Sequence, residues 1–174
     1  NTDNAGAKAW ADCDWAAGKT SLGADWAFNH IYSTNLGEKL AVPEGHYTHA
    51  KARHTGNLWL RHAKAWRRFD MAASAGVSLT PYGTSALWSL SAGWTPAEGL
   101  RVGAGVWQSM RLPTFTDLYY TSPAQINNLD LVPEHAVTYR LGADYLKRRW
   151  NVSAQVYYRA GRDIIDWVWR EDMD

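Results

Sequence analysis

The chain is poor in the features that mark several common classes of protein. It has one cysteine, Cys13, among 174 residues, so no disulfide can form within it. Its formal net charge is +1, from 18 basic and 17 acidic residues, so charge gives no reason to expect a nucleic-acid partner. No apolar run approaches the roughly 20 residues that a membrane-spanning helix needs. These absences exclude a disulfide-stapled domain and a helical membrane protein.

Motifs that carry chemistry are also missing. The sequence has no glycine-rich phosphate loop and no nucleophile elbow, and its acidic residues are dispersed. His46, His49 and His54 fall close together in what we predict to be one long loop, but their spacing fits no familiar zinc pattern. We therefore expect neither an enzyme nor a resident metal or cofactor.

Alternation of apolar and polar residues is the dominant pattern in this sequence. Residues 150–158 alternate strictly, with Trp150 and Tyr158 at the ends of the apolar set and Ala154 in the middle. Five further segments show the same period of two: 22–29, 69–79, 86–95, 100–108 and 137–145. Because successive side chains of a strand point to opposite faces, each segment is a strand with one apolar and one polar face.

Two features distinguish a transmembrane barrel from a soluble β-sandwich, which also alternates. Aromatic residues lie near the ends of the apolar sets, as the girdles of outer-membrane barrels require. Short and long connections also alternate: long ones at about 33–54 and 111–135, and tight ones near Gly18-Lys19, Trp66–Arg68, Pro96–Gly99 and Lys147–Arg149. The connection at Pro81–Gly83 is an exception, because it is short although the alternation predicts a long connection there. We predict an all-β antiparallel transmembrane barrel and keep the soluble sandwich as the alternative.

The stretch 111–142 carries a specific motif. It comprises Arg111, Pro113, Thr114, Phe115, Thr116, Asp117, Leu118 and Tyr119, then Asn128, Leu131, Pro133 and Glu134, then Tyr139, Leu141 and Gly142. These residues resemble the barrel signature of TonB-dependent outer-membrane receptors, in wording closest to cobalamin-receptor-like members of Bacteroidetes. Arg162-Asp163-Ile164-Ile165 follows where that family often has such a segment. Asn127, Leu129 and Val132 depart from the usual residues.

Several motif residues have a physical reason to be where they are. Pro113 and Pro133 each fix φ and lack an N–H, as suits the places where the chain leaves and rejoins a strand. Arg111 and Glu134 stand at opposite ends of the same loop. They either pair across adjacent strands or are solvated separately, and in both cases they shape the barrel rather than catalyse a reaction.

The resemblance implies a barrel of about 22 strands around a plug domain, whereas this sequence predicts about eight. We therefore expect residues 1–174 to be part of a receptor barrel, without plug domain, signal peptide or C-terminal strands. Glu171–Asp174 are expected to lead from a strand into a loop. A complete, passive eight-stranded barrel is the alternative.

The resemblance also implies a function, which is uptake of a large scarce nutrient across the bacterial outer membrane. Cobalamin is the expected ligand, and a siderophore or heme is the alternative. The implied partners are the membrane lipid, the plug domain, TonB and a surface lipoprotein. Aromatic and imidazole side chains in the long loops are the candidate ligand contacts: Tyr119, Tyr120, Tyr47 and His46. Candidate plug contacts lie on the polar strand faces: Arg101, Gln108, Asn151 and Gln155.

Overall fold

The computed structural model describes residues 1–123 and 125–167, which form one antiparallel sheet with almost no helix. The last segment, Glu171–Asp174, for which a strand-to-loop transition is expected, lies outside the described residues. The elements in chain order are β1 (Thr2–Trp15), β2 (Gly18–Ser33), β3 (Glu38–Lys39), β4 (His49–Trp66), β5 (Phe69–Thr80), β6 (Gly83–Ala97), β7 (Leu100–Arg111), α1 (Phe115–Tyr119), β8 (Glu134–Lys147) and β9 (Trp150–Arg162).

The eight long strands follow one another in space in the order β1-β2-β4-β5-β6-β7-β8-β9, and the short β3 pairs with the start of β4. Each pair is antiparallel, as meander topology and short turns favour. The prediction of an all-β sheet with about eight long strands is confirmed. Within the described residues the sheet is open, because β1 and β9 do not pair. The alternative of a closed eight-stranded barrel is therefore wrong for this part of the chain.

The register places most apolar residues of the long strands on one face; the exceptions on the polar face include Trp10, Trp59, Leu87 and Trp107. One cross-strand row runs from Ala104 through Leu141 to Val156. Leu141 and Val156 are 53% and 67% exposed, and the described residues contain no second layer that covers them. A soluble sandwich would bury such a continuous face, so the structure favours a sheet whose apolar side faces lipid. Cys13 is exposed on this same face, opposite Thr20.

Aromatic residues border the apolar face at two levels, one near the tight turns and one nearer the opposite rim. Trp66, Phe69 and Trp94 occupy one cross-strand row, with successive ring centroids 6.1 and 6.2 Å apart. Tyr139 and Tyr158 form a second stacked pair nearer the other rim, with centroids 6.4 Å apart. Tyrosine and tryptophan rings suit the boundary between hydrocarbon and headgroups, so the two levels are the expected aromatic girdles.

Four of the five two-residue turns fall on one rim of the sheet, which we call the turn rim; they lie at residues 16–17, 67–68, 98–99 and 148–149. Arg67, Gly99 and Arg148 adopt positive φ there, as two-residue hairpin turns require. The opposite rim, which we call the loop rim, carries residues 34–48, 81–82 and 112–133 and the segment 163–167 after β9. The predicted alternation of short and long connections is confirmed except at residues 81–82, the exception that the sequence already showed.

Two sequence expectations about single residues are wrong. His49 and His54 belong to β4, so they do not share a loop with His46. Among residues 1–123 and 125–167, no group of three or more His, Cys, Asp or Glu side chains could hold a metal ion. Gln108 pairs with Val137 and has the parity of Val106, so it lies on the apolar side of the sheet. Arg101, Asn151 and Gln155 keep the polar-face positions predicted for them.

No helix in the described part of the chain is long and apolar enough to cross a membrane.

The face assignment can be tested with two neighbouring alanines of β5. Ala73 has the parity of the apolar face and Ala72 that of the polar face. We expect Ala73→Lys to destabilise the protein in lipid vesicles by about 2 kcal/mol or more, because an ammonium group then faces hydrocarbon. We expect Ala72→Lys to change the free energy of unfolding by about 0.5 kcal/mol or less. Guanidinium titration measures both, and equal costs would contradict the assignment.

Candidate functional site at the loop rim

The loop between β7 and β8, residues 112–133, which we call the rim loop, opens with the short helix α1. Its first turn is closed by a capping box. The Thr114 hydroxyl accepts from the Asp117 N–H at 3.1 Å, and the Asp117 carboxylate accepts from the Thr114 N–H at 2.8 Å. The alternation and the motif did not predict this helix, although the spacing of Thr114 and Asp117 is the capping-box signal. These two motif residues therefore serve to fold the loop.

Apolar burial and an asparagine hold the rim loop together. Leu118 is 2% exposed and Pro113 is fully buried. The Asn127 amide donates to the Leu118 carbonyl at 2.8 Å and accepts from the Thr121 hydroxyl at 2.8 Å. Because these hydrogen bonds join the second half of the loop to the helix, the loop is compact and packed on itself rather than extended into solvent.

The rim loop reaches the polar side of β4, three strands away from β7. The Arg53 guanidinium donates to the Pro113 carbonyl at 2.6 Å and to the Asn29 side chain at 3.3 Å. It also lies over the Phe115 ring, 4.8 Å from the centroid. β5 and β6, which lie between β7 and β4 in the sheet, are joined on this rim by only two residues, 81–82. The loop thus leans inward over the mouth of the polar face.

The predicted ligand residues are half-buried at the end of α1, where Tyr119 is the last helical residue and Tyr120 is the C-cap, so they do not form a free loop tip. The Lys51 ammonium of β4 lies 5.9 Å from the centroid of the Tyr119 ring and forms an ion pair with Glu38 of β3. Lys51 therefore links the rim loop to the connection between β2 and β4. Cations and aromatic rings meet here on the polar side of the loop rim.

The other two predicted ligand residues belong to the connection at residues 34–48. The His46 and Tyr47 rings have centroids 4.0 Å apart, and Tyr47 lies 6.0 Å from Tyr32. His46 is exposed and Tyr47 is half-buried. Among the described residues, no hydrogen bond or ring contact joins this pair to Tyr119 or Tyr120. The four predicted residues thus share the loop rim but form two separate clusters.

The ends of the rim loop are joined by an ion pair. The Arg111 Nε donates to Glu134 Oε2 at 2.9 Å, across paired positions of β7 and β8. The hypothesis of a cross-strand pair is confirmed, and separate solvation of the two charges is excluded. Arg111 also approaches the Asp117 carboxylate at 3.9 Å.

The remaining motif residues shape the part of the loop that leads back into β8: Pro133 is buried, Leu131 is half-buried, and the Asn128 side chain accepts from the Asp130 N–H at 2.9 Å.

Glu134 also fastens the segment that follows β9. Its Oε1 accepts from the Ile165 N–H at 2.7 Å, which sequence reasoning did not foresee. This backbone hydrogen bond, and secondarily the bond from Arg111, lowers the pKa of the Glu134 carboxyl, which stands at the rim outside the spanning part of β8. One carboxylate therefore joins the end of β7, the start of β8 and the segment after β9.

Removing the Arg53 guanidinium should loosen the rim loop. The variant Arg53→Gln loses the bond to the Pro113 carbonyl and the contact with Phe115. We expect amide exchange at Leu118 and Tyr120, whose N–H groups close α1, to rise by about tenfold or more. The matched control is Arg61→Gln, on the same face of β4 and nearer the turn rim. Equal changes in both variants, measured by hydrogen exchange, would refute the role of the Arg53 contacts in holding the rim loop.

The contact between Glu134 and Ile165 should depend on pH with a definite sign. Because the folded pKa of Glu134 is depressed, the stabilisation is complete at pH values above the ordinary carboxyl pKa of about 4.3. It is lost as the pH falls through the lowered folded pKa. We expect protection of the Ile165 amide to fall between pH 7 and pH 3 in the native protein and to stay nearly constant in Glu134→Gln. A parallel fall in the variant would show that another group is responsible.

Comparison with known proteins agrees with this architecture. The family model described as "TonB dependent receptor-like, beta-barrel" matches residues 67–172, which is more than half of the chain. No curated protein matches the chain in sequence. The siderophore receptor PirA from Acinetobacter baumannii superposes with a TM-score of 0.72 at 16% identity, covering 94% of this chain and 27% of that one.

Structures of the ferric enterobactin receptor PfeA from Pseudomonas aeruginosa give the same result. A mutant of PfeA matches with a TM-score of 0.71 at 15% identity, covering 92% of this chain and 26% of that chain. The complex of PfeA with BCV-L6 matches with a TM-score of 0.71 at 13% identity. This chain thus spans about a quarter of the length of these receptors, and at such identities the likeness shows the fold alone. Together with the family match over residues 67–172, it shows that the chain belongs to the TonB-dependent receptor β-barrel family.

Proposed function

We propose that residues 1–174 form part of the barrel domain of an outer-membrane receptor that takes up a large, scarce nutrient. The observation that carries this proposal is the rim loop, which is folded inward and fixed to β4 by Arg53 above the polar face. A loop held in this way gives a barrel a shaped mouth on one side of the membrane, where a bulky solute can be bound before passage.

The family membership supports the partners of such a receptor. A plug domain would sit against the polar face, where Arg101, Asn151 and Gln155 lie, and TonB would supply the energy for transport. The apolar face would contact lipid of the bacterial outer membrane. A surface lipoprotein that covers the mouth is a further partner that the resemblance implies. No covalent chemistry is required of any residue described above.

The nature of the ligand has two candidates, each with its own support. Cobalamin is favoured by the wording of the motif from Arg111 to Tyr120. A ferric siderophore is favoured by the titles of PirA and PfeA, which name siderophore binding by those proteins. The rim offers either ligand the rings of Tyr119 and Tyr120 beside the Lys51 ammonium, and a second group of rings at His46 and Tyr47.

Calorimetry on the full-length receptor in detergent tests the proposal directly. Cyanocobalamin and a ferric catecholate siderophore are titrated into the same preparation. We expect one of them to bind and the double variant Tyr119→Ala, Tyr120→Ala to weaken that binding by about tenfold, since each aromatic contact contributes about 0.5–1.5 kcal/mol.

The matched control is Tyr145→Ala, which removes a ring from the apolar face near the turn rim. Binding of cyanocobalamin alone would identify a cobalamin receptor, and binding of the chelate alone a siderophore receptor. Equal loss in the control and in the double variant would overturn the assignment of Tyr119 and Tyr120. Binding of neither ligand would refute both ligand candidates.

A further inference from the structure

An apolar groove lies on the lipid-facing side of the sheet, between β6 and β9. Its volume is about 510 Å³. The register places Ala92, Ala104, Leu141 and Val156 in one cross-strand row through it. The two alanines leave a depression that the larger side chains of β8 and β9 border. A groove of this kind accepts a flexible hydrocarbon chain better than a flat face does.

A pair of tyrosines marks the end of the groove that points toward the loop rim. Tyr139 and Tyr158 line it, and their rings stack with centroids 6.4 Å apart. They are 52% and 67% exposed. Because tyrosine prefers the level where hydrocarbon meets headgroups, this pair sets the depth at which an acyl chain in the groove would end.

An arginine lies beyond the tyrosines on the same face. Ala160, opposite Val137, follows Tyr158 on the apolar side, and Arg162, opposite His135, comes next. At about 3.3 Å per residue, Arg162 lies roughly 13 Å past Tyr158 along the strand, which is the direction of the headgroups. Arg162 is exposed, and in the described part of the chain its guanidinium has no hydrogen bond or ion pair. The chain turns away at Asp163, with φ of 56°.

We propose that this groove and Arg162 bind one phosphate-bearing lipid of the surrounding membrane. The acyl chain occupies the groove along Ala92 and Ala104, the tyrosine pair contacts the boundary region, and the phosphate accepts hydrogen bonds from Arg162. The groove alone would take any acyl chain. The guanidinium, a planar donor suited to phosphate, makes the site selective for an anionic headgroup. The inference rests on the proposed membrane barrel.

Native mass spectrometry of the full-length receptor tests this site. The receptor is exchanged into detergent that contains equal amounts of dioleoyl phosphatidylglycerol and dioleoyl phosphatidylcholine, and the retained lipids are counted. We expect phosphatidylglycerol to be preferred and Arg162→Gln to reduce that preference by roughly fivefold. Arg162→Lys should restore much of it, because the charge returns. Ala104→Phe, which fills the groove, should lower retention of both lipids.

The control is Arg159→Gln, which removes the same charge from the opposite face of the same strand. Equal loss of preference in Arg159→Gln and Arg162→Gln would overturn the proposal, as would retention of both lipids without preference. Pairing of two copies of the receptor through this face, with no lipid retained, would overturn it as well. Nutrient binding measured on the same preparations separates failure of the lipid site from failure of the proposed receptor function, because we expect Arg162→Gln to bind the nutrient normally.

Discussion

A backbone N–H or C=O group in a bilayer core must find its hydrogen-bond partner within the protein, and this constraint shapes the whole sheet. The chain meets it with an antiparallel ladder that runs from β1 to β9 through strands of 12 to 18 residues. The register is continuous apart from a shift between Trp94 and Ala97 at the turn rim. Since the register is fixed, every alternate residue must suit lipid, and this dictates the sequence pattern.

The same constraint places a binding site at the loop rim. The backbone groups of the spanning strands are all used in strand pairing, so a shaped site has to be formed by the connections, where the chain leaves the sheet. The motif does this with local chemistry: Thr114 and Asp117 cap α1, and Arg111 and Glu134 close the base of the loop. Arg53 then positions the loop over the polar face. The motif residues are therefore best understood as the framework of a binding mouth.

Sequence reasoning predicted the strands, their faces and the Arg111–Glu134 pair, because alternation and pairing are local rules. It misplaced Gln108, because a polar residue near the rim can occupy the apolar parity without facing hydrocarbon. It placed His49 and His54 in a loop, because β4 continues past the bilayer, where alternation no longer marks the strand. The contact between Arg53 and Pro113 joins positions 60 residues apart and depends on how the loop folds, which no local pattern encodes.

The proposed function requires the loop rim to face the cell exterior and the turn rim to face the periplasm, because outer-membrane barrels carry their longer loops outside and their short turns inside. Cysteine labelling of intact cells with a membrane-impermeant maleimide tests it most directly, using Val42→Cys in the connection 34–48 and Glu98→Cys in a tight turn. Val42 is 81% exposed, so its accessibility does not depend on local opening. If the loop rim faces outward, we expect labelling at position 42 in intact cells and at position 98 only after the membrane is permeabilised. Labelling of both positions in intact cells, or of position 98 alone, would rule out this orientation.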